Sequence, residues 1–305
     1  MPLAAQRPTA DELFKRVESL LRSEQGAKKL KQLNQLVVRV VNSLPTLHEL
    51  RARLRQRASM RLYVNLSSAR ELASRGSVRL SVRVHGIECG TVTVAVNGRR
   101  SFAPSNCGLF GGCGFDDAAR QEWSSPAVAE YIKAAENIAA RGKGRPEAEV
   151  ESALIFKMKQ PGGEWRGEQQ PVCLAGLPFQ LPLPVSASGA DLKVGNGHID
   201  VLARLGRGGR GLRVYKLKAP KADASGALDQ AVAYVAALKF VLAQKVAAEA
   251  WWRLIGFSSP PRRKPAFEAF AFVADTPKNR NTMVAAKERL CSANKHDVKL
   301  GAMYY

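Results

Sequence analysis

The stretch that decides the reading of this chain runs from Gly195 to Tyr234: GNGHIDVLARLGRGGRGLRVYKLKAPKADASGALDQAVAY. Two apolar runs, Ile199–Ala203 and Leu212–Leu217, flank a turn rich in glycine and arginine at Gly206–Gly211. Apolar runs this short, bounded by glycine, suit buried strands. Side chains alternate across a strand, so Val214, Lys216 and Lys218 share one face. The first run carries a single acid, Asp200. Pairing the two runs side by side brings that acid close to the end of the second, where the lysines stand. A helix then opens near Ala227 and carries Gln230 and Tyr234, four residues apart and so on one side.

This layout resembles the PD-(D/E)XK nuclease superfamily, with its restriction-endonuclease-like fold. In that family an Asp on one strand and an acid-x-Lys on the next build a magnesium site. Asp200 matches the first position and Lys218 the lysine. Gln230 and Tyr234 match the Q-x-x-x-Y pattern on the following helix of many DNA-processing members, and the glycine before Asp200 also fits. Lys216 departs from the pattern, standing where the family has its second acid. The helix before the first core strand often contributes a further acid. Glu147 and Glu151 lie four apart, and Glu151 is the one expected at the site, with Asp229 a weaker candidate. The resemblance thus implies magnesium held by Asp200 and Glu151, with Lys218 positioning water or offsetting phosphate charge. It implies a metal-dependent DNA endonuclease-like protein. The alternative is a catalytically inactive nucleic-acid-binding module of a larger assembly. Lys216 decides between them, because its ammonium stands where a ligand should be and a Lys–Asp pair would satisfy Asp200 without metal.

Working outward, the elements after residue 146 follow the order of that fold. Val150, Leu154, Ile155 and Met158 give one helix an apolar side. Pro178–Val185 reads as an edge strand because of its prolines, and Val194–Ala203 and Leu212–Lys218 as the next two. Ala227–Ala250 reads as one long helix, Phe267–Ala274 as a further strand, Asn279–Leu290 as a helix and Val298–Tyr304 as a terminal strand. The expected class is α/β: a mixed sheet flanked by helices in the C-terminal half, preceded by a helical segment and a small antiparallel β region. The resemblance covers roughly Pro146–Ala274.

The N-terminal half is helical at first. Thr9 and Glu12 form a capping-box pattern, and Leu13, Val17 and Leu21 recur at helical spacing. A second helix runs from about Ala27 and stops before Pro45. A third, from Thr46, carries Arg51, Arg53, Arg55 and Arg57, either a phosphate-contacting face or a solvated one. From Arg61 to Ser105 the period changes to alternation, with a hairpin signal at Asn97-Gly98. Ser125-Pro126 opens another helix, and Arg141–Pro146 is a basic linker. The expected division is residues 1–60, 61–125, 126–145 and 146–305, with the last a nuclease-like domain.

Composition favours a polyanionic partner. The 305 residues carry a formal net charge of +21, which points to nucleic acid ahead of mere solubility, and the resemblance makes DNA the expected partner. Arg204, Arg207, Arg210, Arg213, Lys216, Lys218 and Lys221 form a cluster without an acid, suited to phosphate contact. Five cysteines, an odd number widely spaced, are not a disulfide framework, and a reducing cytoplasm is the expected location. Cys107 and Cys113 flank a glycine-rich loop that lacks the tight pairs of a zinc site and the G-K-[ST] of a phosphate loop. No stretch approaches the roughly 20 apolar residues of a membrane span. Met1–Pro8 lacks the apolar core of a signal peptide.

Overall fold

The computed structural model describes residues 7–43, 45, 62–66, 77–84, 87–95, 97–105, 121–141, 146–159, 172–174, 181–188, 191–205, 211–245, 247–261, 263 and 265–305. The expected third helix from Thr46, the Cys107–Cys113 loop and the Gly206–Arg210 turn lie outside them.

Two helices open the chain, α1 (Ala10–Arg22) and α2 (Glu24–Asn42). The capping box is formed: the Glu12 carboxylate accepts from the Thr9 N–H at 2.7 Å, and the Thr9 hydroxyl accepts from the Glu12 N–H at 3.3 Å. Ser23 ends α1 and caps α2, accepting from the Gly26 N–H at 3.1 Å. A Cβ at Gly26 would collide with the Leu20 carbonyl oxygen, so glycine allows the first turn of α2 to lie close against the end of α1. α2 stops at Asn42, ahead of Pro45, as the ring of proline requires.

The first sheet is an antiparallel meander of β1 (Leu62–Leu66), β2 (Val78–Val84), β3 (Ile87–Val94), β4 (Arg100–Pro104) and β5 (Gln121–Glu122). The Asn97-Gly98 hairpin is present, with Gly98 at φ +78° where a side chain would be strained. α3 (Pro126–Arg141) packs on this sheet, and the Tyr131 hydroxyl donates to the Ser105 carbonyl at 2.9 Å.

The second sheet is mixed. α4 (Pro146–Lys159) leads into β6 (Val172–Leu174), β7 (Leu181–Ser188), β8 (Asp191–Ile199), β9 (Val201–Leu205) and β10 (Gly211–Leu217). There follow α5 (Ala227–Leu242), α6 (Ala248–Leu254), β11 (Ala266–Val273), α7 (Pro277–Arg289), a 3₁₀ turn (Cys291–His296) and β12 (Val298–Tyr304). The strand order is β12-β11-β10-β9-β6, with β10, β11 and β12 parallel and β9 antiparallel to β10. β7 and β8 form a separate antiparallel ribbon. The chain is therefore α/β, with helices on both faces of the sheet. Val201, Ala203, Tyr215 and Leu217 pack with Val150 and Leu154 of α4. Leu202, Leu212 and Val214 face the opposite side, with α5. A strand covered on both faces has no polar side to show, which explains the nearly continuous apolar run of β10.

Three expectations need correction. The strand read as Val194–Ala203 is broken at Asp200, where the chain bends between β8 and β9. The helix read as Ala227–Ala250 ends at Leu242, and α6 restarts after Ala247 at φ +136°. The break turns Trp251 back to α2, where its indole N–H donates to the Asn34 side chain at 2.8 Å. The division at 145 does not isolate the C-terminal layer either. α1 lies on α5, α2 lies on α6 and β7, and Leu13, Val17, Leu33 and Val37 share one core with Leu228 and Val235. Amphipathic helices bury their apolar stripe on whatever apolar face is available, and here that face is the buried helix α5.

Candidate functional site

The site lies where the β9–β10 ladder stops. Its last pair is Tyr215↔Val201, so the next step sets Lys216 opposite Asp200. The bend at Asp200 removes the main-chain partner that Leu217 would otherwise have, and the Asp200 carboxylate takes its place. Oδ2 accepts from the Leu217 N–H at 2.9 Å and from the Lys216 ammonium at 2.6 Å. Both side chains are only 14% exposed. Glu147, in the first turn of α4, reaches the same ammonium at 3.6 Å from the solvent side. Burial works against the Lys216 charge, but Asp200, its hydrogen bond and Glu147 outweigh burial and hold the pKa above the usual lysine value.

Lys218 follows two residues on. Burial is the main cause that lowers its pKa, and the neighbouring Lys216 charge adds to it. Its main chain is fixed at both ends: the N–H donates to the Phe272 carbonyl at 3.1 Å, and the carbonyl accepts from the Tyr305 hydroxyl at 2.6 Å.

The helix residues approach from α5. The Tyr234 pKa is raised by burial, against the pull of Lys216 and of hydrogen bonds with the backbone at Ala187 and His198. Its ring lies over Gly197, where a Cβ would be 3.2 Å from Tyr234 Cε1 and would collide with the Val185 carbonyl oxygen. The glycine before Asp200 is thus there for close packing. The pKa of His198 is lowered, first by burial and then by Arg83, Lys216 and Lys29. Gln230, one turn before Tyr234, is 5% exposed, and its Oε1 has no hydrogen-bond partner among the described residues.

The structure thus brings Asp200, Lys216, Tyr234 and His198 into one electrostatic neighbourhood, with Lys218 beside them. It corrects several assignments. Glu147 pairs with Lys216, whereas Glu151 is buried on α4 at 4% exposure beside Val150 and Leu154. The first-turn acid reaches the end of the sheet because it lies nearer the helix terminus. Asp229 is occupied by Arg289 at 2.5 Å and Arg7 at 3.4 Å. Arg213 is buried against Glu268 at 2.5 Å and stacks 3.9 Å from the Phe270 ring centroid. Arg204 donates to the Gly256 carbonyl at 2.5 Å and lies 4.2 Å over Phe257. These two arginines make internal contacts. Alternation explains Arg213, which is on the Tyr215 face of β10, away from Lys216; Arg204, opposite Leu212, is on the Lys216 face and is turned to Gly256 and Phe257 instead. Arg207 and Arg210 lie outside the described residues, and Lys221 is exposed. His198 is the member that the sequence does not single out; Glu147 stands beside Glu151 in the sequence reading as an acid of the preceding helix, with Glu151 preferred.

A magnesium ion is what the sequence pattern implies at Asp200. The described residues contain no group of three or more Asp, Glu, His or Cys that could hold a metal. The Lys216 ammonium sits at hydrogen-bond distance from the one carboxylate such an ion would need. As they stand, these residues do not fit magnesium. No protein-family model, curated protein or solved structure matches the chain.

Proposed function

We propose that this protein is a nucleic-acid-binding module built on a restriction-endonuclease-like core whose cleavage site has been neutralised. The observation that carries the reading is the Lys216–Asp200 pair at 2.6 Å. A phosphodiester hydrolase of this kind needs carboxylate oxygens free to hold a divalent ion, and here the acid is paired internally. The succession α4, β9, β10, α5, β11, with β9 antiparallel to β10 and β10 parallel to β11, supports the core assignment, while β7 and β8 stand apart from that sheet as a ribbon. The net charge of +21 supports the polyanionic partner. Lys218 and Lys221 are the candidates for phosphate contact, with Arg207 and Arg210, which lie outside the described residues, as further candidates from the basic sequence cluster. A reducing, cytoplasmic location belongs to the same proposal, because Cys89 and Cys291 are both free thiols.

Binding to labelled double-stranded DNA, single-stranded DNA and RNA, measured from about 50 to 200 mM salt, tests the reading. The expected result is affinity that falls steeply with salt, and no strand cleavage on adding magnesium. Affinity that is absent, or flat across that range, would remove the nucleic-acid partner. Magnesium-dependent cleavage lost in Asp200→Ala would replace this reading with that of an active nuclease.

A further inference from the structure

We propose that Ser259 is a phosphorylation site for a proline-directed protein kinase, and that its phosphate weakens nucleic-acid binding by opposing the basic end of the sheet. The sequence holds three Ser/Thr-Pro pairs, at Ser125, Ser259 and Thr276. Two of them open helices. Pro126 is the first residue of α3, and Pro277 the first of α7, where the Thr276 hydroxyl accepts from the Asn279 N–H at 3.1 Å. Capping favours a hydroxyl residue followed by proline at such positions. Ser259-Pro260 opens no helix. The chain from Phe257 to Pro261 forms neither helix nor strand, and β11 begins only at Ala266. Of the three pairs, this is the one that capping does not explain.

The segment is presented as a kinase substrate has to be. Ser258, Ser259 and Pro260 are exposed. Proline biases the residue before it to an extended backbone, the form in which a kinase cleft takes its substrate. Pro260, directly after the serine, has no N–H to satisfy in that cleft. Arg262 stands three residues after Ser259 and is followed by Arg263 and Lys264, cations that suit an acidic kinase groove. In the transfer, the Ser259 Oγ bonds to the γ-phosphorus of ATP. The bond from that phosphorus to the β–γ bridging oxygen breaks, ADP leaves, and the hydroxyl proton passes to the base of the kinase.

Position gives the phosphate its effect. Leu205 pairs with Gly211, and Gly211 with Ala266, so the β9–β10 connection and the loop before β11 are joined to the same end of the sheet. Arg204 spans the two, donating to the Gly256 carbonyl. The sequence has no acid between Asp200 and Asp223, and none between Glu249 and Glu268. The second stretch carries four cations, Arg253, Arg262, Arg263 and Lys264. A phosphoserine brings about −1.5 to −2 charges at pH 7, so it offsets about half of them. The effect on binding rests on the nucleic-acid reading above; the modification itself does not.

The experiment incubates the full-length natural protein with ATP and a purified cyclin-dependent kinase, and maps the product by peptide mass spectrometry. A phosphate on Ser259 is expected, absent from Ser259→Ala and from Pro260→Ala, with the far-UV circular dichroism of all three proteins alike. Labelled single-stranded DNA and RNA are then titrated from about 50 to 200 mM salt. Phosphorylation is expected to weaken binding about tenfold or more at the low-salt end and to reduce the salt slope by about 1–2. Kinase-treated Ser259→Ala should bind as before. Natural protein that takes no phosphate at Ser259, or a Ser259 that is modified equally well in Pro260→Ala, overturns the site. Phosphorylation that leaves a salt-dependent complex unchanged overturns the switch. If the unmodified protein binds no nucleic acid at any salt, the nucleic-acid reading fails and the switch with it, and the mapping of Ser259 decides the modification site alone.

Discussion

Asp200→Ala separates a carboxylate that holds the fold together from one held ready for a metal. The substitution removes the partner of Lys216 and the acceptor of the Leu217 N–H at once. Breaking a buried ion pair by deleting one member costs about 3–5 kcal/mol, and orphaning a buried N–H costs about 1–3 kcal/mol. The sum overstates the loss. Both side chains keep 14% of their exposure, and Glu147 remains 3.6 Å from the ammonium to share its charge. A loss of about 3 kcal/mol follows, equivalent to a drop of about 5 °C in Tm at about 2.1 cal/mol/K of unfolding entropy per residue. Asp200→Asn keeps an oxygen for Leu217 and should lose about half as much. Urea unfolding followed by far-UV circular dichroism at pH 7 measures both. A bare carboxylate awaiting an ion would behave in the opposite way, and its removal would be neutral or stabilising. A loss under about 1 kcal/mol in Asp200→Ala, the range of exposed pairs, would refute the account of the site as a closed ion pair.

The Lys216 pKa lies above its ordinary value of 10.5, so its contribution is complete below that pH and is lost as pH rises through the raised folded value; the Asp200→Ala difference should be constant from about pH 7 to 9 and shrink in the alkaline range, and a difference that grows there contradicts the assignment. Glu268→Ala removes the carboxylate partner of buried Arg213, which keeps its contacts with Tyr215 and Phe270, and should cost about 3 kcal/mol by denaturant titration. On the nucleic-acid proposal, Arg213→Gln should leave the salt slope of binding unchanged, whereas Lys221→Ala should reduce it by about 1. A fragment of residues 146–305 lacks α1 and α2, which cover α5 and α6, and should be far less stable than the whole chain in chemical denaturation; equal midpoints would show that those helices merely decorate the surface.

Much of the C-terminal sheet could be read from sequence because local pattern and final environment agree. β10 is apolar at nearly every position since both of its faces are covered, and Leu212–Leu217 reads as a buried strand for that reason. The Thr9 and Asn97-Gly98 signals are equally local, and both features are present. The misreadings come from tertiary packing. Nothing in the composition of α5 marks its end at Leu242, because alanine, leucine and valine continue beyond it; the stop is imposed where Trp251 turns back to Asn34. The basic run at Arg141–Pro146 looks like a linker, yet chain connectivity says nothing about α1, which reaches past it to cover α5. Arg204 and Arg213 look like phosphate ligands in a list of basic residues; the strand face of Arg213, and for Arg204 the approach of Gly256 and Phe257, show that each meets an aromatic ring and an internal acceptor.

The site itself is half visible in one dimension. A period of two puts Lys216 and Lys218 on the same face of β10, but it cannot say which of them meets Asp200. That follows from register, and register follows from where β9 begins. Asp200 interrupts the strand, its carboxylate replaces a main-chain acceptor for Leu217, and the β9–β10 ladder has its end pair at Val201↔Tyr215 with Lys216 next in line. One residue of slip would carry every side chain of β10 to the opposite face. Lys216 would then point at α4, and Arg213 would stand among the α5 contacts. The bend therefore sets the partner of Asp200 as well as the end of the sheet. With its ammonium 2.6 Å from Asp200 and both side chains largely buried, Lys216 occupies the place an ion would need, so a chelator is expected to leave the melting temperature of the natural protein unchanged.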